Sequence, residues 1–222
     1  MSETTFPVQT GEHAYRMRIF SPTAELQFAG HPSLGTAWLM GPGRWTQTTP
    51  GGTVTVEADE RGSMMTQPRP EFARVEDEAD TVLSALGLAS ADAICRSTAA
   101  GMTHILVATS QPIDELDPDS GRVAQASSSC DGFTLTPFRA INESKLQARV
   151  FAPAVGVVED PGSGSAAGPI ALLANQIWGT HSNVTINMGA EVGRPCQLEV
   201  QTTNDIRVGG RVVLSAEGHF LL

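Results

Sequence analysis

The chain has 222 residues, 41 % of them hydrophobic, and a formal net charge of −10 from 14 Lys and Arg against 24 Asp and Glu. This length can bury a core as one large domain or two small ones, and the apolar content argues against disorder. The excess of negative charge repels phosphate backbones, so we do not expect nucleic acid as a partner.

The cysteines and the apolar runs predict a protein of a reducing, aqueous compartment. Cys95, Cys130 and Cys196 are widely spaced and form no CxxC motif, which is typical of buried thiols rather than of disulfides or metal ligands. The longest apolar runs fall short of the ~18 residues of a membrane span. Residues 1–16 lack the basic region and apolar stretch of a signal peptide. We therefore expect a cytoplasmic protein with no membrane partner.

In chain order, the hydrophobic pattern gives short alternating segments and a few helical ones. Residues 12–22 predict a strand, and residues 28–40 predict a turn and an apolar helix with Pro32 at its first position. The other predicted elements are a hairpin over 51–68, an acidic amphipathic helix over 75–89 closed by Gly87, strands over 104–110, 132–138 and 145–153 around an irregular 138–144 connection, a helix over 165–178, and strands within 184–188, 195–203 and 206–220. Hairpins mixed with helices, without a regular βαβα order, predict an α+β fold.

One short motif occurs twice. The sequence RIFSP of residues 18–22 returns as RVFAP in residues 149–153. Each copy is followed by a glycine turn, at Gly30 and at 162–164, and then by a helix of small apolar residues. The repetition predicts a duplication that gives two pseudo-symmetric lobes, with their helix N-termini facing each other across a cleft.

Two glycine-led helix starts suit a small anion. The first turn of a helix leaves about four N–H groups without intrahelical partners and carries a partial positive charge. Two such ends would hold a carboxylate, or the enolate-like charge formed when a proton leaves a carbon next to a carbonyl. We therefore place a small anionic substrate between His31 and Ser165. The alternative is that both glycines only allow tight helix–sheet packing.

Other motif readings find less support. GSGSAAG lacks the lysine of a phosphate-binding loop and the βαβ context of a dinucleotide site, and no GxSxG nucleophile motif is present. The five histidines show no metal-ligand spacing. Taken singly, His13, His104, His181 and His219 are expected to be strand or loop residues without a chemical task.

The sequences SETTF, FAGHPSLGTAW, VVEDPGSGSAAGP and GAEVGRP together resemble those of the PhzF-like phenazine-biosynthesis family, which shares its fold with diaminopimelate epimerase. The resemblance runs from Ser2 to about residue 213. It implies two lobes, each a curled, mostly antiparallel sheet around a central helix, with the active site between them. We expect an N-terminal lobe over 1–72, a C-terminal lobe over 73–205, and final strands over 206–222 that return to the first lobe.

The resemblance also assigns roles to residues. It implies Glu3 as the group that removes a proton and returns it elsewhere, with His31 and Asp160 orienting and polarising the substrate. Ser165 completes the implied catalytic set, and Ser2, Gly30, Gly164 and Ser163 are the implied substrate-binding residues. No cofactor and no metal are implied, and the family's habit predicts a homodimer. Related racemases use two cysteines, whereas here the corresponding turns carry His31 and Ser163/Gly164, so a two-thiol racemase is not expected.

The predicted function is therefore an isomerase that moves a proton, with one base, on a small carboxylate-bearing substrate. Family members normally begin earlier, with a strand and a G-N-P segment before the glutamate motif. This predicts a fragment or a misjudged start, a missing piece supplied by another chain, or a degenerate member. The alternative function is a non-catalytic small-anion binding protein of the same fold, whose base is lost or disordered.

Overall fold

The computed structural model describes residues 3–99 and 102–219, and within them it contains sixteen strands and four α-helices. The first lobe consists of β1 (Thr4–Gly11), β2 (Ala14–Phe20), β3 (Glu25–Leu26), α1 (Gly30–Met40), β4 (Gly43–Thr49), β5 (Gly52–Ala58) and β6 (Gly62–Gln67). The second lobe consists of β7 (Glu71–Arg74), α2 (Ala79–Leu86), β8 (Ala93–Ala99), β9 (Met102–Ala108), α3 (Ser120–Ser129), β10 (Thr134–Asn142), β11 (Lys145–Ala148), β12 (Val150–Ala152), β13 (Val157–Asp160), α4 (Gly164–Trp178), β14 (Asn183–Met188) and β15 (Cys196–Gln201), and β16 (Ile206–Arg211) follows.

The two lobes repeat one topology. In the first lobe β1 and β2 form an antiparallel pair, α1 crosses over to β4, which lies parallel to β2, and β5 and β6 continue antiparallel. In the second lobe β10 and β11 form the antiparallel pair, α4 crosses over to β14, parallel to β11, and β15 and β16 continue antiparallel. The α+β class, with two pseudo-symmetric and mostly antiparallel lobes, is confirmed.

The two halves form one curled sheet. The strands follow the order β1-β2-β4-β5-β6-β16-β15-β14-β11-β10-β9-β8-β7. At the centre, β16 pairs with β15 on one side and with β6 on the other, where Val208 lies opposite Met65. The strand over 206–211 therefore lies hydrogen-bonded to a strand of each lobe.

Each lobe encloses one apolar helix. Helix α1 packs on β1, β4, β5 and β6, and α4 packs on strands of the second lobe and on β16. Ala37 of α1 and Ala167, Ile170 and Ala174 of α4 are fully buried in a core that reaches both lobes. A second cluster, which includes Val82, Leu86 and Ile105, lies where α2 and α3 cover the outer face of the second lobe. The burial of most of their residues explains why the central helices carry small and aliphatic side chains.

Several local predictions need correction. Pro32 is the third residue of α1 rather than the first, because Ala29 is still extended and the helix begins at Gly30. The helix predicted over 75–89 is shorter, Ala79–Leu86, although Gly87 does end it in the left-handed conformation, with φ 73°. The predicted irregular connection over 138–144 is wrong, since β10 continues to Asn142 and turns directly into β11.

Further elements differ from the sequence predictions. The strand predicted within 206–220 ends at Arg211, and residues 212–219 have no regular secondary structure. Strands β1, β3, β4, β7, β8 and β13 and helix α3 were not predicted at all. No helix among the described residues combines the length and the hydropathy that crossing a membrane requires.

Candidate functional site

The N-terminal ends of the two central helices touch. A Cβ atom added to Gly30 would lie 2.7 Å from the backbone N of Ser165, and one added to Gly164 would lie 3.1 Å from Cα of Gly30. Real Cβ atoms do not approach backbone atoms this closely without displacing them. The two glycines therefore serve close backbone packing, but between two helices rather than between a helix and a sheet.

Neither helix start has a side-chain cap among the described residues. Ala29 precedes α1 and Ser163 precedes α4, both in extended conformation, and neither side chain accepts a hydrogen bond from the first turn. Each end carries a partial positive charge, because the first turn of a helix has N–H groups without intrahelical partners. Because the ends meet, these two charges are concentrated in one place.

A cavity of about 210 Å³ opens beside this contact, between the lobes. Its polar lining includes Glu3, Gly30, His31, His104, Thr134, Asp160, Ser163, Gly164 and Ser165, and also Ser21, Glu25 and Gln27. Its apolar lining includes Leu26, Phe28, Met102, Phe133, Val155 and Val157. The structure thus brings together all the predicted site residues except Ser2, which lies outside the described residues. A volume of this order holds one ring-sized molecule.

Glu3 lies at the mouth of the cavity, held by the strand that follows it. Thr4 pairs with Phe20 on β2, and Thr5 Oγ1 lies 2.9 Å from Thr36 Oγ1 of α1. The Glu3 carboxylate is 12 % exposed, and its Oε2 lies 3.0 Å from Nε2 of His31. The pairing of β1 therefore directs this carboxylate at the helix contact.

His31, the second residue of α1, joins three parts of the site. Its ring contacts Glu3 and makes a hydrogen bond with the backbone of Gly162, and Asp160 lies near enough for its charge to act on the ring. Burial opposes a charge on His31, but the hydrogen bond to Glu3 and the charges of Glu3 and Asp160 outweigh it, so the pKa of His31 is raised. The imidazole is stabilised in its protonated form between two carboxyl groups.

Asp160 enters the site from the last position of β13. It pairs in register with Val150 on β12, and its Oδ1 accepts a hydrogen bond of 3.1 Å from Gly162 N. Burial raises the pKa of Asp160, while the neighbouring His31 works in the opposite direction. Asp160 thus orders the glycine turn that leads into α4.

The arginine of the repeated segment, RIFSP or RVFAP, forms an ion pair with a glutamate in each lobe. Arg149 and Glu159 form a buried bidentate pair, at 2.9 and 2.7 Å, directly before Asp160. Arg18 makes the same bidentate contact with Glu25, at 2.8 Å for both bonds, on the first lobe. Each guanidinium also stacks over the phenylalanine two residues later, Phe151 or Phe20.

His104 was expected to be a strand or loop residue without a chemical task, but its side chain lines the cavity. It lies on β9 with only 2 % of its surface exposed, and its Nε2 is 3.0 Å from Ser165 Oγ. Its Nδ1 is 3.0 Å from Thr134 Oγ1, and Ser165 Oγ in turn is 3.3 Å from Ser163 Oγ. Burial lowers the pKa of His104 to about 4, so the ring is neutral near pH 7.

A cysteine lies closer to the site than the sequence indicated. Cys196 Sγ would be 2.7 Å from a Cβ added to Gly162, so the thiol packs against the glycine turn, although it does not line the cavity between the lobes. Burial raises the pKa of Cys196 to about 11, with the charge of Asp160 adding to the effect. The protonated thiol is a poor base near pH 7. Cys95 and Cys130 are buried elsewhere.

Among residues 3–99 and 102–219, no three His, Cys, Asp or Glu side chains are grouped so that they could hold a metal ion. The site is instead defined by two joined helix N-termini, a carboxylate–imidazole pair, a second carboxyl group and two serine hydroxyls. Fold and site together describe a two-lobed α+β protein with a small cavity between its lobes, in which polar groups gather at the helix contact beside an apolar wall.

Comparison with known proteins gives the family. Residues 1–218 match the PhzC-PhzF family, described as phenazine biosynthesis-like proteins, and the chain belongs to this family. It is 32 % identical, over 100 % of its own length and 85 % of the relative's, to the trans-2,3-dihydro-3-hydroxyanthranilate isomerase of Pseudomonas aeruginosa. It is 34 % identical to the enzyme of the same name from Pseudomonas chlororaphis, over 98 % of this chain and 81 % of that protein.

Solved structures agree with this placement. A structure from Pseudomonas aeruginosa described as a "predicted epimerase" matches with a TM-score of 0.82 at 27 % identity, over 100 % of this chain and 84 % of that one. A structure from Agrobacterium radiobacter described as a "probable proline racemase" matches with a TM-score of 0.58 at 12 % identity, over 94 % of this chain and 73 % of the other, which shows a shared fold alone. The relatives support an isomerase or epimerase activity for this chain.

Proposed function

We propose that the protein is an isomerase that moves a proton between two carbons of a small carboxylate-bearing substrate, without a cofactor and with Glu3 as the only base. The observation that carries the proposal is the placement of the Glu3 carboxylate in the cavity where the two helix N-termini meet. Proton removal from carbon needs a base within hydrogen-bond reach of the proton and a stabilised position for the negative charge that forms. The cavity supplies both.

The charge that develops on the substrate meets the helix ends. Gly30 and Gly164 line the cavity as the first residues of their helices, where N–H groups have no intrahelical partner, and no lysine or arginine among the described residues lines it. A substrate carboxylate conjugated to the reacting carbon would accept hydrogen bonds from these amides, and the bonds would strengthen as the carboxylate gains enolate character. Backbone donors fixed by the helix contact need no rearrangement during the reaction.

His31 and Asp160 would act on the polar end of the substrate. The raised pKa of His31 keeps a proton on the ring beside the Glu3 carboxylate, so His31 can polarise a carbonyl or hydroxyl group and orient Glu3. Asp160, whose pKa burial raises, lies next to it and would bind an amino or hydroxyl substituent. A single base can remove a proton from one carbon of the substrate and return it to another carbon on the same face. Glu3, whose carboxylate contacts His31, would be that base.

Proton exchange tests the proposal directly. The first substrate to try is trans-2,3-dihydro-3-hydroxyanthranilate, because the relatives named above are its isomerases. In deuterated water, NMR should show deuterium entering the substrate or product. Glu3→Gln should lower the exchange rate by at least ~100-fold, the usual contribution of a general base.

Glu25→Gln is the matched control, since Glu25 also lines the cavity but pairs with Arg18 on the surface. It should exchange at the wild-type rate. Equal exchange in wild type and Glu3→Gln would contradict the proposed base. Calorimetric binding of the substrate with no exchange in any form of the protein would instead support the alternative, a small-anion binding protein.

The oligomeric state, the compartment and the division of the chain into lobes are also proposals. We propose a homodimer in the cytoplasm, with lobes over 1–72 and 73–205 and a final segment over 206–222. Light scattering after size-exclusion chromatography would test the dimer by giving twice the mass of the 23.4 kDa chain.

A further inference from the structure

A chain of buried polar side chains runs from the second lobe to the cavity. Thr136 Oγ1 lies 2.9 Å from Thr134 Oγ1, which lies 3.0 Å from Nδ1 of His104. On the other side of the ring, Nε2 lies 3.0 Å from Ser165 Oγ, at the first turn of α4. Thr134, Thr136 and His104 are all at most 3 % exposed. Each member of the chain therefore depends on the next for its hydrogen bonds.

A neutral imidazole fixes the direction of the hydrogen bonds. It carries one N–H donor and one acceptor nitrogen, so the two neighbouring hydroxyls cannot both donate to it and cannot both accept from it. If Nδ1 carries the proton, Ser165 must donate its hydroxyl proton to Nε2 and presents only lone pairs to the cavity. If Nε2 carries the proton, Ser165 accepts from the ring, and its own proton is free to point into the cavity.

The surroundings favour the second arrangement. Either tautomer lets every bond in the chain run in one direction; with the proton on Nε2, Thr136 can donate to Thr134, Thr134 to Nδ1 and Nε2–H to Ser165, which leaves the Ser165 hydroxyl as the last donor. Bonds aligned in this way polarise one another and strengthen the last donor. Ser165 also lies at the positive end of α4, where an anion is favoured.

We propose that His104 is a positioning residue that holds Ser165 as a hydrogen-bond donor to the negatively charged group of the substrate. Ser163 Oγ, 3.3 Å from Ser165 Oγ, accepts that proton when the cavity holds no anion. The inference rests on the proposed function, because it assumes that an anionic group lies at the two helix ends. It assigns His104 no proton transfer of its own.

The first test is the tautomer of His104. Nitrogen-15 NMR of the protein labelled at histidine distinguishes a protonated ring nitrogen from an unprotonated one. We expect the Nε2–H tautomer, unchanged between about pH 5 and pH 8 because the pKa of His104 is lowered to about 4. The Nδ1–H tautomer would overturn the inference, since Ser165 would then be an acceptor on the cavity side.

The second test measures binding without turnover. Anthranilate is a stable carboxylate similar in size to the relatives' named substrate, and calorimetry gives its affinity. Ser165→Ala and His104→Leu should each weaken binding by about 10- to 100-fold, the usual effect of losing a hydrogen bond to a charged group. His104→Gln keeps an N–H close to the position of Nε2 and should stay within about threefold of wild type.

The double variant separates positioning from general damage. If His104 acts through Ser165, His104→Leu adds no loss in the Ser165→Ala background. Additive losses would overturn the inference. If His104→Leu does not fold, the comparison of His104→Gln with wild type and the tautomer decide the matter. If the Ser165 and His104 variants bind anthranilate as expected but no proton exchange occurs, only the proposed function is refuted. If proton exchange depends on Glu3 but His104→Leu binds anthranilate as the wild type does, only the role of His104 is refuted.

Discussion

Replacing Arg149 by methionine removes a charge from the interior while keeping an unbranched side chain of similar length. The Arg149 and Glu159 side chains are 6 % and 5 % exposed. The guanidinium also donates to the backbone carbonyls of Ile113 and Leu116, at 3.1 and 2.6 Å. In the variant the Glu159 carboxylate is left buried without its partner, and the backbone carbonyls of Ile113, Asp114 and Leu116 lose a donor. Breaking such a pair costs about 3–5 kcal/mol.

The duplication provides a matched control within the same chain. Arg18 repeats the bidentate bond to a glutamate and the stacking on a phenylalanine, but it is 61 % exposed and Glu25 is 34 % exposed. Water replaces these contacts, so Arg18→Met should leave stability almost unchanged. The same local motif therefore has a large effect in one lobe and little effect in the other, because Arg149 is buried and also donates to backbone carbonyls, whereas Arg18 is exposed.

Urea unfolding followed by tryptophan fluorescence measures the effect. For a slope of about 3 kcal/mol per M, suited to a chain of this size, Arg149→Met should lower the midpoint by about 1–1.7 M. The double variant Arg149→Met/Glu159→Leu should recover most of the loss, because an apolar pair replaces the ionic one. Equal shifts for Arg149→Met and Arg18→Met would refute the reasoning from burial.

Three further predictions concern the helix contact and the histidines. Gly30→Ala should separate the two helix ends and lower both the urea midpoint of unfolding and the affinity for anthranilate. Gly35→Ala is the control within the same helix: nothing lies within 4 Å of the added Cβ, so a urea titration should show a gain in stability of about 0.5–1 kcal/mol. The pKa of His31 is raised above 6.5 in the folded protein, so protonated His31 contributes its full stabilisation below pH 6.5 and loses it as the pH rises through the folded pKa. Urea midpoints measured across this pH range should fall in the wild type, and His31→Gln should lack this part of the fall. The folded pKa of His104 is lowered from 6.5 to about 4, so stability should fall by roughly 3 kcal/mol as pH drops between those values, and His104→Gln should remove that part of the acid dependence.

The duplicated motif predicted more of the fold than the secondary-structure pattern did. Two five-residue segments and the glycine turns after them predicted two lobes and facing helix starts, because a repeated sequence forms a repeated supersecondary unit. Strand β1 could not be predicted in the same way, since its residues are nearly all exposed and show no alternation. Helix α3 has the sequence SGRVAQASSS, and serine-rich segments favour turns unless a cap and tertiary packing fix them. Asp119 provides that cap by accepting from Arg122 N.

The site could be predicted from sequence only where a motif carries it. His31, Asp160 and Ser165 stand in glycine-rich turns that a motif can identify. His104 stands in an ordinary apolar strand, 61 residues before Ser165, and Cys196, which contacts the Gly162 position, lies 34 residues after it. Such contacts arise from strand order and from the crossing of α4 over the sheet. No local spacing encodes them, so the structure is needed to find them.

The central position of β16 has a consequence for how the protein can be divided. This strand lies between β6 and β15 and is hydrogen-bonded to both. In a chain cut before Ile206, β6 and β15 would therefore each become an exposed edge in the middle of the sheet. Exposed edges recruit strands from other molecules. Deletion of the last strand should therefore yield aggregates rather than two separable halves.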